Sequence, residues 1–132
     1  SLALPSVVSS YDSTLGTLAA QIAAITDPSS TATIFNTGTY APGFVEIQLS
    51  GLYTVNIICL QVAQSPNGNT LHQIYVGTTT NPSTLATTLS GYTSSGQWIN
   101  LTYSPPLTNV RFLRVNTVTS PSWVAWVKFL VY

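Results

Sequence analysis

The sequence contains very few charged residues. Only 5% of its 132 residues are charged, and the three acids balance the three bases, so the net charge is zero. Binding to nucleic acid or to an anionic membrane surface requires clustered Lys and Arg, which this chain lacks. Its polarity comes from Thr, Ser, Asn and Gln, as in many secreted adhesins, lectins and virion proteins. We therefore expect an extracellular or virion-surface protein with no nucleic-acid partner.

Residues that support catalysis or bind metals are equally scarce. The chain has one cysteine, Cys59, and one histidine, His72, and its acids, Asp12, Asp27 and Glu46, are far apart in sequence. A lone cysteine forms no intrachain disulfide, and a metal site needs more ligands than these residues readily bring together. No glycosidase-type carboxylate pair, phosphate loop or nucleophile elbow occurs. The sequence predicts a non-enzymatic protein without cofactor or metal.

Long apolar runs are also missing. No run approaches the roughly 20 residues of a membrane-spanning helix, so we expect no membrane insertion. No basic and then apolar signal peptide opens the sequence. The first residue is Ser1 rather than Met. We therefore expect a piece that was processed or excised from a longer polypeptide.

The first 28 residues are predicted to form an N-terminal extension with a short helix. Alanines favour helix there, and Asp27-Pro28 would end it. Apolar residues follow a heptad spacing of 4, 3, 4 and 3 at Tyr11, Leu15, Leu18, Ile22 and Ile25. This seam either packs on its own domain or is the last part of an oligomeric stalk, and the spacing alone leaves both open.

Residues 29–132 show the pattern of an all-β domain. Turn residues recur about every ten positions and separate short runs rich in β-branched and aromatic residues. The predicted fold is an eight-stranded antiparallel jelly-roll sandwich. Its strands are expected at residues 32–36, 44–49, 53–62, 70–76, 84–89, 97–103, 109–117 and 123–132.

The last predicted strand is apolar on both faces. Phe129 and Val131 share one face, while Val124, Trp126 and Leu130 share the other. A strand of this kind is either central to the sandwich or covered by another subunit. Together with the heptad seam, its outer face, which also includes Tyr132, predicts a homo-oligomer, specifically a homotrimer.

Two arginines lie close together near the end of the chain. Arg111 and Arg114 fall on opposite faces of one predicted strand and therefore form no basic patch. We expect one of them to pair with Glu46 or to bond to loop carbonyls.

Several sequence blocks resemble the discoidin, or coagulation-factor C-type, domain. They are Gly43-Phe-Val-Glu-Ile-Gln-Leu-Ser-Gly-Leu-Tyr-Thr-Val55, His72-Gln-Ile-Tyr-Val-Gly77, Gly96-Gln-Trp-Ile-Asn-Leu-Thr-Tyr-Ser-Pro-Pro106, Val110-Arg-Phe-Leu-Arg-Val115 and Trp126-Val-Lys-Phe-Leu-Val-Tyr132. The blocks occur in the family's order over residues 43–132. The resemblance implies a galactose-binding-like β-sandwich of the carbohydrate-binding-module kind. The acidic stretch that supports calcium in many members is absent, because residues 29–42 contain no acid.

Antiparallel alternation predicts which loops share an end of the sandwich. The loops at 37–43, 63–69, 90–96 and 117–122 fall together. They and the adjacent strand starts present aromatic and amide side chains without charge, which suits a sugar ring. The predicted ligand-binding residues are Tyr40, Asn67, Asn69, His72, Tyr92 and Trp123.

These observations predict a carbohydrate-recognition module that attaches to a neutral cell-surface glycan. Its expected setting is the tip of a phage or bacterial fibre, or a secreted adhesin or lectin. The alternative is a structural capsid, fibre or spike component that acts through protein assembly and binds no sugar. A lipid-binding module, as some discoidin domains are, is a third reading.

Overall fold

The described part of the chain adopts an antiparallel β fold with one short helix. The structure is a computed structural model and describes residues 2–12, 19–30 and 34–132. No helix in these ranges is long and apolar enough to cross a membrane. The elements are β1 (Ser6–Tyr11), α1 (Ala19–Ala24), β2 (Phe35–Tyr40), β3 (Gly43–Val62), β4 (Gly68–Gly77), β5 (Thr84–Thr93), β6 (Trp98–Thr119) and β7 (Trp123–Val131).

Two long strands, β3 and β6, run through both layers of the sandwich. The first half of β3 pairs with the second half of β6, as at Gly43 and Thr117, in a layer completed by β1, β4 and β5. The second half of β3 pairs with the first half of β6, as at Gln61 and Trp98, in a layer completed by β7 and β2. The predicted all-β antiparallel sandwich is confirmed.

The described residues contain seven strands rather than the predicted eight. The runs predicted at 44–49 and 53–62 are the two halves of β3, and those at 97–103 and 109–117 are halves of β6. Turn residues between the halves produce register shifts in the β3–β6 pairing instead of ending the strands. Residues 6–11, part of the predicted N-terminal extension, form β1, because they pair with β3.

The core lies between the two layers, and β4 shows how its residues are selected. Along β4 buried and partly exposed residues alternate, so Thr70, His72, Ile74 and Val76 point inward. A cluster of buried Val, Ile, Leu, Phe and Trp side chains from both layers fills the interior. Two of the inward positions on β4 are polar, and both lie near the end of the sandwich where its loops converge.

The last strand, β7, is central to its layer, between β2 and β3. Its pairing with β3 shifts between Trp126 and Lys128, and this shift reverses the side-chain faces. Trp126, Phe129 and Val131 therefore belong to one core, although strict alternation places Trp126 opposite the other two. Val124, Trp126 and Leu130 are all buried within the single chain. Most of the outer apolar face from which a trimer was predicted is thus covered from within, and its last residue, Tyr132, is half-buried.

The N-terminal seam also packs on its own chain. Tyr11 is in β1, and its ring meets that of Phe35 edge-on with centroids 5.1 Å apart. Ile25 is fully buried and Ile22 packs against the core. Leu15 and Leu18 lie outside the described residues, as does the start of the strand predicted at 32–36. The described seam residues support packing on the domain rather than a stalk, and Tyr11, the first residue of the predicted helical seam, lies in a strand instead.

Glu46 is fully buried and lies at the centre of a hydrogen-bond network. Its carboxylate accepts hydrogen bonds from Ser9 Oγ at 3.1 Å, Thr80 Oγ1 at 2.9 Å and the Asn81 main-chain N–H at 3.0 Å. Arg114 Nε donates to the same carboxylate at 2.9 Å. The prediction that one arginine pairs with Glu46 is confirmed. The network ties β1, β3 and β6 to the β4–β5 connection.

Lys128, on β7, is buried, although lysines usually lie at the protein surface. Lys128 Nζ donates hydrogen bonds to the main-chain oxygens of Ala24 at 2.7 Å, Asp27 at 2.7 Å and Ser30 at 2.8 Å. The Ala24 and Asp27 oxygens also accept turn hydrogen bonds from the N–H groups of Asp27 at 3.4 Å and Ser30 at 3.2 Å. A cation close to these carbonyls adds a charged donor where the helix has ended. Lys128 therefore fastens residues 24–30 to the sandwich.

Candidate ligand-binding cleft

An open cleft of about 410 Å³ lies at one end of the sandwich. Residues from four connections or their edges line it: Tyr40 before the β2–β3 turn, 63–66 after β3, Ser95 between β5 and β6, and 121–123 between β6 and β7. These are the four connections that antiparallel alternation places together. Ile34, Asn36 and Ala125 complete the lining.

Two aromatic side chains form one wall of the cleft. Tyr40 and Trp123 are register partners across β2 and β7, and their ring centroids lie 6.0 Å apart at an interplanar angle of 84°. Tyr40 is 66% and Trp123 39% exposed. Exposed rings held in an edge-to-face pair present a rigid apolar surface, because each ring restricts the other. We refer to this pair as the aromatic corner.

Gln64 anchors the loop behind the cleft. Its Nε2 donates to the main-chain oxygens of Thr93 at 3.1 Å and Pro66 at 3.3 Å, while its Oε1 accepts from Thr93 Oγ1 at 2.6 Å. Thr93 Oγ1 also contacts Thr70 Oγ1 at 3.0 Å. Gln64 is therefore a positioning residue that holds the β3–β4 connection against β5.

Further hydrogen bonds join the remaining loops. The main-chain N–H of Ser65 donates to Ser122 Oγ at 2.9 Å, which links the β3–β4 and β6–β7 connections. The Ser95 N–H donates to Asn67 Oδ1 at 2.9 Å, which links the β3–β4 and β5–β6 connections. Cross-linked loops lose little conformational entropy when a ligand binds. The cleft is therefore pre-organised.

No charged side chain is found among the described residues that line the cleft. Of the charged residues near the core, Glu46 is paired with Arg114, and Lys128 is bonded to main-chain oxygens. The lining offers amide, hydroxyl and aromatic groups instead. Such a surface favours a neutral ligand with hydroxyl groups and an apolar face.

The six predicted ligand-binding residues do not all reach the cleft. Tyr40 and Trp123 line it, and Asn67 lies beside it but uses its side-chain oxygen to hold Ser95. Asn69 and Tyr92 are exposed register partners on β4 and β5, outside the cleft lining. His72 is only 4% exposed and faces the interior.

Sequence reasoning missed five polar cleft residues. Four of them lie within or at the edge of the predicted loops, but a short or buried polar side chain stands out less than an aromatic ring: Gln64, Ser65, Ser95 and Ser122. Asn36 was placed at the end of a strand, whereas β2 runs from Phe35 to Tyr40 and pairs Asn36 with Ala125. The sequence alone does not show that β2 pairs with β7, and this pairing brings Asn36 to the cleft.

The buried histidine has a strongly shifted protonation equilibrium. His72 Nδ1 lies 2.9 Å from Thr117 Oγ1, and the ring packs 4.9 Å from that of Trp126. Burial lowers the pKa of His72 from 6.5 to about 4, because the charged imidazolium is poorly solvated there. The ring is therefore neutral at pH 7.

This pKa shift is expected to make the protein acid-sensitive. Between pH 6.5 and about 4 the unfolded chain binds a proton at His72 that the folded chain does not. Stability is thus complete above pH 6.5 and falls by about 3 kcal/mol as the pH approaches 4. Denaturant unfolding between pH 7 and 4 measures the slope. His72→Phe should remove the slope between pH 6.5 and 4.5, above the range in which Glu46 is protonated, and an equal slope in wild type and variant over that range would contradict this assignment.

Metal-ligating residues do not cluster in the described part of the chain. No group of three or more His, Cys, Asp or Glu side chains is close enough there to hold a metal ion. Cys59 is a free, half-buried thiol whose pKa is raised by burial. The described residues suit binding of a ligand through neutral side chains better than binding of a metal ion.

The fold matches those of solved carbohydrate-binding modules. The family 32 module of Clostridium perfringens NanJ, solved in complex with galactose, has a TM-score of 0.75 at 15% identity and covers 98% of this chain and 96% of that chain. CpGH89CBM32-5 from the same organism, solved with GalNAc-β-1,3-galactose, has a TM-score of 0.67 at 18% identity, with 99% of each chain covered.

A third similar structure comes from a different organism. Chitosan-binding module 1 of a Paenibacillus sp. IK-5 chitosanase/glucanase has a TM-score of 0.63 at 18% identity and covers 99% of this chain and 96% of that chain. No protein-family model and no curated protein matches the sequence. At these identities the likeness establishes the fold, and it confirms the galactose-binding-like, discoidin-type sandwich that the sequence blocks resemble.

Proposed function

We propose that this β-sandwich, which has the fold of the family 32 carbohydrate-binding modules, is a non-enzymatic recognition module for a neutral glycan. The aromatic corner, exposed on a charge-free cleft, is the observation that carries this proposal. A pyranose ring has an apolar C–H face that stacks on aromatic rings and hydroxyls that pair with amides and hydroxyls. Two of the three structurally similar modules were solved with galactose and with GalNAc-β-1,3-galactose, which supports the same ligand class here.

The site is expected to bind weakly. The cleft is open, and its ligand would keep much of its surface in solvent. We expect dissociation constants from millimolar to tens of micromolar, or roughly 4 to 7 kcal/mol per site. Attachment of useful strength would then come from several linked copies, since linkage raises avidity by about 10² to 10⁴.

We place the module outside the cell, as part of a surface fibre or a secreted adhesin. The neutral, hydroxyl-rich composition supports this setting. A homotrimer stays a prediction, and the two apolar surfaces that suggested it are occupied within the chain as far as it is described. Those contacts also weaken the alternative of an assembly component that binds no sugar.

Removing the larger ring of the aromatic corner tests the site. Trp123→Ala is expected to weaken glycan binding by about 2 kcal/mol, or roughly 30-fold, because a central aromatic anchor is lost. A glycan array identifies the sugar, and isothermal titration calorimetry measures the loss. Trp98→Ala is the matched control, since Trp98 is 47% exposed and lies outside the cleft lining. Equal binding by both variants would show that the cleft is not the site.

A further inference from the structure

Asn67 and Gly68 form an Asn-Gly pair where the β3–β4 connection meets β4. The Asn67 side chain is exposed, and Gly68 is the first residue of β4. The other seven asparagines of the chain each precede Thr, Ile, Pro, Leu or Val. Asn67 is therefore the asparagine whose neighbour has no side chain to shield its main-chain nitrogen.

The packing of Pro121 requires glycine at position 68. A Cβ placed on Gly68 would lie 2.8 Å from Cγ of the Pro121 ring, which is closer than two non-bonded carbon atoms pack. The proline ring cannot swing aside as a long side chain does. Since Pro121 lines the cleft, a larger residue after Asn67 would push the β6–β7 connection away from it.

The main-chain N–H of Ser95 is directed at the amide group of Asn67. It donates a hydrogen bond to Asn67 Oδ1 at 2.9 Å. When a nucleophile adds to the Asn67 amide carbon, negative charge develops on Oδ1. A donor that already points at this oxygen stabilises that charge without further rearrangement. The contact that links the two connections therefore also favours attack on the amide.

We propose that Asn67 is a site of spontaneous deamidation in the folded protein. Asparagine is one of the thermolabile residues, and its amide carbon is the electrophile. The Gly68 main-chain nitrogen bonds to this carbon, the bond from the carbon to the side-chain nitrogen breaks, and ammonia leaves with the proton from Gly68. The cyclic imide then takes up water. Opening at one carbonyl gives aspartate, and opening at the other gives isoaspartate.

Both products place a carboxylate at the margin of the cleft. Pro66, Ser95 and Pro121 adjoin the Asn-Gly pair and line the cleft, where no described lining residue is charged. The net charge of the protein falls from zero to minus one. Aspartate keeps an oxygen that accepts from Ser95, whereas isoaspartate routes the main chain through the side-chain carbonyl and disturbs the pairing of Gly68 with Thr93. The modification thus changes both the charge and the packing of this end.

The test is incubation of the folded protein at mildly alkaline pH. Ion-exchange chromatography is expected to resolve a species with one additional negative charge. Peptide mapping by mass spectrometry should place the exchange of ammonia for water at Asn67 and at no other asparagine. Asn67→Gln, whose longer side chain does not close the same ring, should form no such species. Asn69→Gln is the matched control, because Asn69 is also exposed but precedes Thr70, and it should leave the reaction unchanged.

Unfolding separates the effect of the fold from that of the local sequence. The same protein in urea retains the Asn-Gly pair but loses the Ser95 contact. We expect Asn67 to react at least as fast in the folded protein as in urea. Slower reaction in the folded protein, no reaction there, or an equal amount of the charged species from Asn67→Gln overturns the proposal. None of these measurements involves a sugar, so the proposed glycan function is tested separately.

Discussion

Replacing Glu46 by Ala is expected to lower the free energy of unfolding by about 3 to 5 kcal/mol. The change removes the acceptor for Ser9, Thr80 and Asn81 and leaves the Arg114 guanidinium without its partner. Breaking a buried ion pair from one side costs more than the pair contributes, because the remaining charge stays poorly solvated. Guanidinium unfolding at pH 7 measures the loss.

The controls for Glu46 separate its charge from its position. Asp12→Ala removes an exposed acid next to β1 and should leave the unfolding midpoint almost unchanged. Burial alone raises the pKa of Glu46, but hydrogen bonds from Thr80, Arg114 and Asn81 outweigh it, so the pKa is lowered from 4.5. The stability that the ionised Glu46 carboxylate contributes is present above pH 4.5 and is lost as the pH falls below 4.5. Comparable destabilisation by Asp12→Ala and Glu46→Ala would refute the role given to the network.

Lys128→Met is expected to destabilise the fold by about 2 to 4 kcal/mol. Methionine keeps an apolar stem of similar length but removes the charged Lys128 donor from three main-chain oxygens, those of Ala24, Asp27 and Ser30. The Ala24 and Asp27 oxygens keep turn hydrogen bonds from the N–H groups of Asp27 at 3.4 Å and Ser30 at 3.2 Å, so the cost comes from losing the bonds to the charged donor, each worth about 1.5 to 3 kcal/mol. Thermal unfolding measures the total, and hydrogen exchange should show faster opening of residues 24–30.

Asp27→Asn is the matched control for Lys128. The exposed Asp27 carboxylate accepts from Ser29, and only the Asp27 main-chain oxygen contacts Lys128. Asparagine preserves that oxygen, so hydrogen exchange in residues 24–30 should change far less than in Lys128→Met. Rapid exchange in Asp27→Asn with slow exchange in Lys128→Met would show that the side-chain charge, rather than the carbonyl contacts, holds the segment.

The fold could be predicted because its signals are local. Turn residues and β-branched runs mark the strands, and antiparallel connectivity fixes which loops share an end. The strand count differed because the turn residues inside β3 and β6 shift register instead of reversing the chain. The seam at Tyr11 and Ile25 was ambiguous because apolar spacing reveals a buried face but does not identify what covers it. Both residues are covered by their own chain.

The site was predictable at the level of loops and aromatic rings, and less so for side chains on strands. On β4 both faces mix polar and apolar residues, so the sequence does not show that His72 points inward while Asn69 points outward. Register sets that choice, and a shift of one residue reverses it. This ambiguity does not affect Tyr40 and Trp123, because both residues lie at strand ends next to turns.

The passage of β3 and β6 through both layers makes folding a strongly non-local process. Residues at the start of β3 pair with the end of β6, and the end of β3 pairs with the start of β6, so one long ribbon belongs to both halves of the sandwich. Neither layer can assemble before this ribbon closes a large loop, and such topologies fold slowly relative to their stability. The cleft, built on loops at the end of that ribbon, therefore appears only when the whole domain has formed.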